Sequence, residues 1–103
     1  MIGPESYTDM ANAFKFTHAI VCRLADSFEK NAGCGFNLSL AKEQHATYVS
    51  TLRRLGLDVI ELPPDEALPD CVLVEDSAVV VNGTALITRP GHPSRQKEVI
   101  AVI

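Results

Sequence analysis

The clearest pattern of hydrophobic and polar positions lies in LSLAKEQHATYVSTLRRLG, residues 38–56. Apolar residues recur there at intervals of three and four with charged residues between them, which predicts an amphipathic helix. We expect Ser39 to cap the first turn through its hydroxyl and Gly56 to end the helix. The stripe that should face the core consists of Leu40, Ala41, Tyr48, Val49, Leu52 and Leu55.

Short apolar runs on both sides of this helix predict two strands. FTHAIVCRL (16–24) is almost wholly apolar at its centre, so we expect a first strand that is buried on both faces. LDVIEL (57–62) predicts a second strand, which ends at Pro63-Pro64 because proline cannot donate to a ladder. These two strands and the helix between them form a β-α-β unit.

Three further strand-like runs follow, namely CVLVE, SAVVV and TALIT. Asn82-Gly83 joins the last two runs, and this dipeptide between apolar segments is a strong signal for a β-hairpin. SRQKEVIAVI (94–103) then predicts a helix with Ser94 at its N-cap. The order β-α-β, hairpin, helix indicates a mixed α/β layer structure.

The chain of 103 residues is long enough for one small domain. Residues 1–14 lack such a pattern and are expected to form a flexible leader, which leaves 15–103 as the domain. The last predicted helix is still apolar at Ile103, without a glycine or a polar end. We therefore expect that the domain is truncated within that helix.

Composition excludes several classes of partner. Net charge is -4, which disfavours non-specific binding to nucleic acid or to an anionic lipid surface. No apolar stretch approaches the ~20 residues needed to span a bilayer. The three cysteines lack C-x-x-C spacing, which makes a zinc site or a disulfide scaffold a weak hypothesis and favours a reduced, cytoplasmic setting. We expect no metal ion and no cofactor.

An acidic stretch stands out because it interrupts strand-like residues. Asp70, Glu75 and Asp76 lie within seven positions, between Val72-Leu73-Val74 and the next valine run. In one reading these acids flank a turn and point to solvent, as most carboxylates do. In the other they form a negatively charged pocket for a metal, an ammonium or a guanidinium, and a planar guanidinium suits paired carboxylate oxygens well.

Several other side chains are candidates for chemistry. Arg95 lies at the start of the last predicted helix. It is either a first-turn residue in solvent that pairs with Glu98, or a residue of the loop-to-helix junction that holds an anionic group of a ligand. His45 falls on the apolar stripe of the long helix, so we interpret it as a packed, hydrogen-bonded core residue. Cys34, between two glycines, is the best candidate for an exposed thiol, but no nearby group indicates a lowered pKa.

Specific strings of this sequence resemble the N-terminal part of the dimethylarginine dimethylaminohydrolases. They are FTHAIVCRL, LAKEQHATYVSTLRRLGLDVIELPPDEALPDCVLVED and TALITRPGHPSRQKEV, in that order, and they cover about residues 15 to 99. The resemblance implies a pentein fold, a propeller of five ββαβ-like α/β modules, of which this chain would supply one or two. It also implies hydrolysis of methylated arginines to citrulline and a methylamine.

The resemblance also implies roles for individual residues. Asp76 matches the family's guanidinium-binding aspartate, Glu75 its acidic neighbour, and Asp70 the aspartate near the substrate's α-amino end. Arg95 matches one of two arginines that hold the substrate's α-carboxylate. The family's catalytic cysteine and histidine fall beyond this chain, so no catalytic residue is expected in it, and the chain alone should be inactive.

Two alternatives to this interpretation stay open. The chain could be a non-catalytic, shortened form that binds arginine analogues or a protein partner. It could also belong to a related pentein, such as an arginine deiminase or an amidinotransferase. In each case the expected small-molecule ligand is an arginine derivative, and exposed strand edges favour self-association.

Overall fold

The computed structural model describes residues 16–33 and 35–102 of the chain, and it has α/β architecture, as predicted. Strand β1 (His18–Cys22) pairs in parallel with β2 (Asp58–Leu62), from His18 opposite Asp58 to Cys22 opposite Leu62. A separate antiparallel sheet holds β3 (Ala78–Val81) and β4 (Thr84–Ile87). The predicted leader 1–14 and the thiol of Cys34 lie outside the described residues.

Two helices lie between β1 and β2. A 3₁₀ turn (Asp26–Phe28) leads into the short α1 (Glu29–Ala32), and the long predicted helix is confirmed as α2 (Leu38–Arg54). Its N-cap is Asn37, whose side-chain oxygen accepts the Leu40 N–H at 2.9 Å. The prediction of Ser39 as the cap was wrong, because Ser39 already lies within the first turn. Gly56 follows the helix at φ +90°, which favours glycine.

The core is small, and it lies at the C-terminal end of β1. Cys22, Ala25 and Cys71 are buried together, and Leu62, Leu68 and Val74 pack against them. The expectation that β1 is buried on both faces was wrong for Ile20, which is 47% exposed. Within the described part of the chain the β1–β2 sheet has two strands, and this cluster of buried residues lies at one of its ends.

The apolar stripe of α2 is also more exposed than its periodicity predicted. Val49 is almost fully buried, whereas Leu40, Tyr48 and Leu55 are exposed, and Leu55 keeps 74% of its surface open. The helix pattern was therefore right about the secondary structure but wrong about how much of the stripe other described residues cover.

The segment CVLVE does not form a strand. The N–H of Cys71 donates to Leu68 O at 3.0 Å and that of Leu73 to Asp70 O at 2.9 Å, so the chain curls through successive turns. A 3₁₀ helix (Val74–Ser77) then leads directly into β3. The backbone groups that a strand would offer to a neighbour are used locally instead, so the strand prediction for 71–75 was wrong.

The predicted hairpin is confirmed. Asn82 and Gly83 join β3 to β4 with φ of +48° and +75°, as a two-residue turn of this kind requires. The final segment is helical, as predicted, but it is a 3₁₀ helix (Pro93–Val102) that begins before Ser94. The capping role expected of Ser94 is taken by His92, whose Nδ1 accepts the Ser94 N–H at 3.2 Å. No helix within the described ranges is both long and apolar enough to cross a membrane.

Candidate functional site

Arg95 lies at the centre of a cluster of charged groups in the first turn of the final 3₁₀ helix. Its Nε donates to both carboxylate oxygens of Glu98 at 3.1 Å, and its Nη2 donates to Glu98 Oε1 at 2.9 Å. Nη2 also donates to the backbone oxygen of Leu73 at 3.1 Å, while Nη1 donates to Asp76 Oδ2 at 2.8 Å. One cation thus joins two carboxylates and a carbonyl from two segments of the chain.

The three charged groups differ sharply in their exposure. The side chain of Glu98 is only 4% exposed and that of Arg95 17%, whereas the side chain of Asp76 is 55% exposed. Hydrogen bonds to Glu98, and then to Asp76, raise the pKa of Arg95 above its already high ordinary value. Arg95 therefore stays charged at every ordinary pH, and it compensates a carboxylate that would otherwise be buried without a partner.

The backbone beneath Asp76 is held by the residue that follows β4. The Thr88 hydroxyl donates to Asp76 O at 2.5 Å, and the Thr88 N–H donates to Ser77 O at 3.0 Å. Ser77 is almost fully buried, so the 3₁₀ helix that carries Asp76 is anchored at its C-terminal end. Asp76 therefore has a fixed backbone and an accessible carboxylate.

Of the four residues predicted to bind a ligand, the structure brings together only Asp76 and Arg95. Among the described residues, no hydrogen bond or ion pair links the side chain of Asp70 or of Glu75 to this cluster. Asp70 is half-buried in the turn before Cys71, and Glu75 is exposed. The pairing of Arg95 with Glu98 agrees with one of the two interpretations of Arg95 made from the sequence. Within the described ranges, Asp70, Glu75 and Asp76 do not form a single sheltered pocket.

Glu75 lies instead at a broad apolar groove of about 770 Å³. The walls come from β1, α2 and the hairpin, and they include His18, His45, Tyr48 and Val80. His45 is half-buried in this groove, with its ring 6.2 Å from that of Tyr48, so it is not the enclosed core residue that was expected. The groove offers an apolar surface with one carboxylate and two imidazoles at its edges.

A smaller cavity of about 280 Å³ lies against the thiols of Cys22 and Cys71. Ser77 and Glu98 contribute to its walls, which connects it to the Arg95 cluster. Burial raises the pKa of the Cys22 thiol to about 12, and the neighbouring Cys71 thiol adds to the rise. Cys22 is therefore a neutral thiol at ordinary pH, and both cysteines are free and buried.

The loop after β1 is held at its start by Glu66. One carboxylate oxygen accepts the Asp26 N–H at 3.0 Å and the other accepts the Ser27 N–H at 2.9 Å. Lys42 of α2 forms an ion pair with Asp26, and Phe28 packs edge-to-face on Phe36 with ring centroids 5.5 Å apart. These contacts fix the ends of the segment between β1 and α2.

Sequence reasoning did not single out Glu66, and it named Glu98 only as a partner of Arg95. The spacing of three residues between Arg95 and Glu98 was a usable signal, since side chains so spaced meet on one face of a helix. Glu66 gave no such signal, because its partners are about forty positions away. Within residues 16–33 and 35–102, no group of three metal-binding side chains is placed to hold an ion.

Sequence comparison finds relatives among dimethylarginine dimethylaminohydrolases. DDAH2 of Homo sapiens, whose name gives it only provisionally as a hydrolase, is 40% identical over 92 residues, which are 84% of this chain and 32% of that protein. The N(G),N(G)-dimethylarginine dimethylaminohydrolase of Pseudomonas aeruginosa is 47% identical over 58 residues, 56% of this chain and 23% of that protein. The chain thus spans a third or less of the length of these relatives. No protein-family model matches it.

Structure comparison gives the same result. A dimethylarginine dimethylaminohydrolase adduct with 4-chloro-2-hydroxymethylpyridine superposes with a TM-score of 0.79 and 36% identity, over 85% of this chain and 35% of that chain. The enzyme from Pseudomonas aeruginosa, as a cysteine-to-serine variant complexed with citrulline, superposes with a TM-score of 0.76 and 32% identity, over 85% and 36% of the two chains. The chain therefore has the fold of about a third of each of these proteins.

Proposed function

Since the chain is a relative of the dimethylarginine dimethylaminohydrolases and corresponds to their N-terminal part, we propose that it is the substrate-binding portion of a hydrolase of this type. The substrate would be an arginine methylated on its guanidino group, and the products would be citrulline and a methylamine. The chain would supply one to two of the five modules of a pentein propeller. The Cys–His pair that performs the chemistry would lie outside residues 1–103.

The observation that carries this proposal is the geometry of Asp76. One carboxylate oxygen is held by Arg95 at 2.8 Å, while more than half of the side chain remains accessible. A carboxylate fixed in this way can offer its other oxygen to the planar N–H groups of a guanidinium, and that contact combines charge with direction. Holding the guanidinium charged and planar also keeps its central carbon electron-poor and orients it for attack by a nucleophile.

The other residues take narrower roles in this proposal. Arg95 would meet the α-carboxylate of the substrate, Glu75 would add negative charge beside the guanidinium, and Asp70 would face the α-amino group. For Asp70 and Glu75 the support is their match to the family pattern, since neither contacts the Arg95 cluster. The free, buried thiols of Cys22 and Cys71 support a reducing, cytoplasmic setting.

A second candidate function is binding without catalysis. Cys22 and Cys71 are both buried and Cys22 is held neutral, so neither described thiol resembles a nucleophilic thiolate, as a chain that only binds its ligand would require. In this reading the chain binds an arginine derivative or a protein partner, and it never forms a covalent intermediate. Self-association through the exposed apolar hairpin would be one such interaction.

Calorimetric titration of the 103-residue chain tests the proposal. We expect asymmetric dimethylarginine to bind and citrulline, which is neutral at the reacting end, to bind at least about tenfold more weakly. Asp76→Asn keeps the shape of the side chain but removes its charge, so it should abolish this preference. Glu43→Gln, at an exposed position on α2, makes the same chemical change away from the site and should leave binding unaltered.

Two outcomes would contradict the proposal. One is equal affinity for dimethylarginine and citrulline, and the other is unchanged affinity in Asp76→Asn. An assay for citrulline formation by the chain alone tests whether the catalytic Cys–His pair lies outside residues 1–103 or within them. We expect no turnover, and measurable turnover would show that a nucleophile lies within these 103 residues.

A further inference from the structure

Glu98 determines which N–H groups of Arg95 remain open to a ligand. Its two carboxylate oxygens meet the Nε and Nη2 side of the guanidinium, which is the paired geometry that fixes both the distance and the plane of an arginine. The Leu73 carbonyl takes a second N–H of Nη2. The Nε and Nη2 groups are thereby fully used, and the Nη1 group, which has given one N–H to Asp76, remains on the open side.

Burial separates the partner that the ligand cannot reach from the side of Arg95 that it can reach. Glu98 is 4% exposed and forms part of the wall of the cavity beside Cys22 and Cys71, so its carboxylate depends on Arg95 for a counter-charge. Asp76 is mostly exposed and takes one N–H of Nη1, and the second N–H of Nη1 has no partner among the described residues. An incoming anionic group would therefore take this second N–H, beside Asp76, without displacing Asp76 or Glu98.

We propose that Glu98 is a positioning residue of the substrate site, because its carboxylate locks the Arg95 guanidinium and presents the Nη1 group to an anionic group of the ligand. The inference rests on the proposed function, in which Arg95 meets an α-carboxylate. The inference adds that the ligand's carboxylate binds to Nη1 of Arg95. It also adds that the preference for ligands with this carboxylate depends on Glu98, which is buried and does not contact the ligand.

The first experiment measures solvent exchange of arginine Nε–H groups by nitrogen-15 NMR and requires no ligand. In the wild-type chain the Nε–H of Arg95 should exchange at least about tenfold more slowly than that of Arg54, an exposed arginine at the end of α2. Equal exchange of the two groups would overturn the proposal. This comparison needs no variant, so it does not depend on whether a substitution folds.

Two substitutions of Glu98 then test the cause of this protection. Glu98→Gln removes the charge and one acceptor oxygen, so Arg95 exchange should approach that of Arg54. Glu98→Asp keeps the charge on a shorter side chain and should give an intermediate rate, which provides a second variant if the first does not fold. Glu43→Gln is the matched control and should match the wild type. Unchanged protection in both Glu98 variants would contradict the proposal.

The second experiment separates positioning from a general loss of structure. Asymmetric dimethylarginine and its decarboxylated counterpart, a dimethylated guanidinobutylamine, are titrated into the wild type and Glu98→Gln. The variant should lower the affinity ratio of the two ligands by about tenfold while binding of the decarboxylated one is retained. Equal weakening of both ligands would indicate a merely structural role and overturn the proposal. If the wild type binds neither ligand, the proposed function fails, and the exchange rates still decide whether Glu98 fixes Arg95.

Discussion

The Arg95 cluster and the β3–β4 hairpin differ in how completely other residues cover and pair their side chains. In the cluster, a carboxylate that is almost fully buried has a bidentate cationic partner three residues away. In the hairpin, apolar side chains are exposed on both faces. Val80 points to the groove, while Val79 and its cross-strand neighbour Leu86 are 54% and 68% exposed on the other face.

The difference follows from the cost of leaving each kind of group without a partner. A buried charge without a counter-charge costs several kcal/mol, so its partner must be present wherever the charge is buried. Burial of a valine or leucine side chain contributes about 1.5–3 kcal/mol to the free energy of unfolding, and an exposed one only lacks this contribution. A domain can tolerate that. The cluster should therefore behave as a locally complete unit, whereas the behaviour of the hairpin should depend on what surface meets it.

The largest effect is expected from Arg95→Ala, which leaves the Glu98 carboxylate buried without its cation. We expect a loss of about 3 kcal/mol in the free energy of unfolding, measured by urea denaturation. Arg95→Lys keeps the charge but not the paired geometry, and it should lose less. A loss below ~1 kcal/mol for Arg95→Ala would show that Glu98 does not need this partner, and the cluster would not be the complete unit described above.

The next effect concerns association through the hairpin. Val79→Lys combined with Leu86→Lys places charges on the exposed face, and it should raise the dissociation constant of any self-association by at least about tenfold, measured by sedimentation velocity. Folding stability should change by less than about 1 kcal/mol. Gln44→Lys combined with Ser50→Lys adds the same two charges at exposed positions of α2, away from the hairpin, and serves as the control. A wild-type chain that sediments as a monomer at all concentrations would contradict the contrast between the two regions.

Helix α2 allows a finer test, since it has a local polar contact at its start and an exposed apolar stripe along its length. Asn37→Ala removes the oxygen that accepts the Leu40 N–H, and it should cost about 1 kcal/mol of unfolding free energy. Ser39→Ala should cost much less, because Ser39 is inside the helix. Equal losses in urea denaturation would restore Ser39 as a cap.

The smallest effect is a pH dependence that originates at Cys22. Its folded-state pKa of about 12 lies above the ordinary value of 9.0, so the unfolded chain releases this proton more readily. The thiol therefore contributes stability that is complete well below pH 9 and is lost as the pH rises from 9 to 12. Between pH 7 and pH 9 the loss should be about half a kcal/mol.

Cys22→Ala lacks this contribution and provides the control for it. The difference in unfolding free energy between wild type and variant should shrink as the pH rises through this range. Parallel stability curves for the two proteins would contradict the assignment of the pH dependence to Cys22.

Local signals predicted the elements that depend on local chemistry. The three- and four-residue spacing in 38–56 was sufficient for α2, and Asn82-Gly83 was sufficient for the hairpin, because only a few residue types accept positive φ at both turn positions. The valines of CVLVE misled the strand prediction, since β-propensity reflects packing on neighbouring strands. In this protein those residues curl into turns held by Leu68 and Asp70 carbonyls.

The candidate site was less predictable, for the same physical reason. Asp76 and Arg95 were named from the sequence, but their direct contact spans nineteen residues and depends on how two segments meet. The burial of Glu98 depends on the walls around Cys22 and Cys71, which no local pattern specifies. Periodicity also overestimated the core, because it shows which face of α2 is apolar but not whether described residues cover that face.

The carboxylate of Glu66 has a consequence for the entropy of the chain. By accepting two backbone N–H groups it closes a ring of about forty residues, between the start of the loop after β1 and the turn that follows Pro63-Pro64. Unlike a disulfide, this contact is absent from the unfolded chain, so the entropy of closing the ring is a cost of folding, and the fixed φ angles of the two prolines reduce the freedom that is lost. The parallel pairing of β1 with β2 closes nearly the same ring. We therefore expect α2 and β2 to lose their order together.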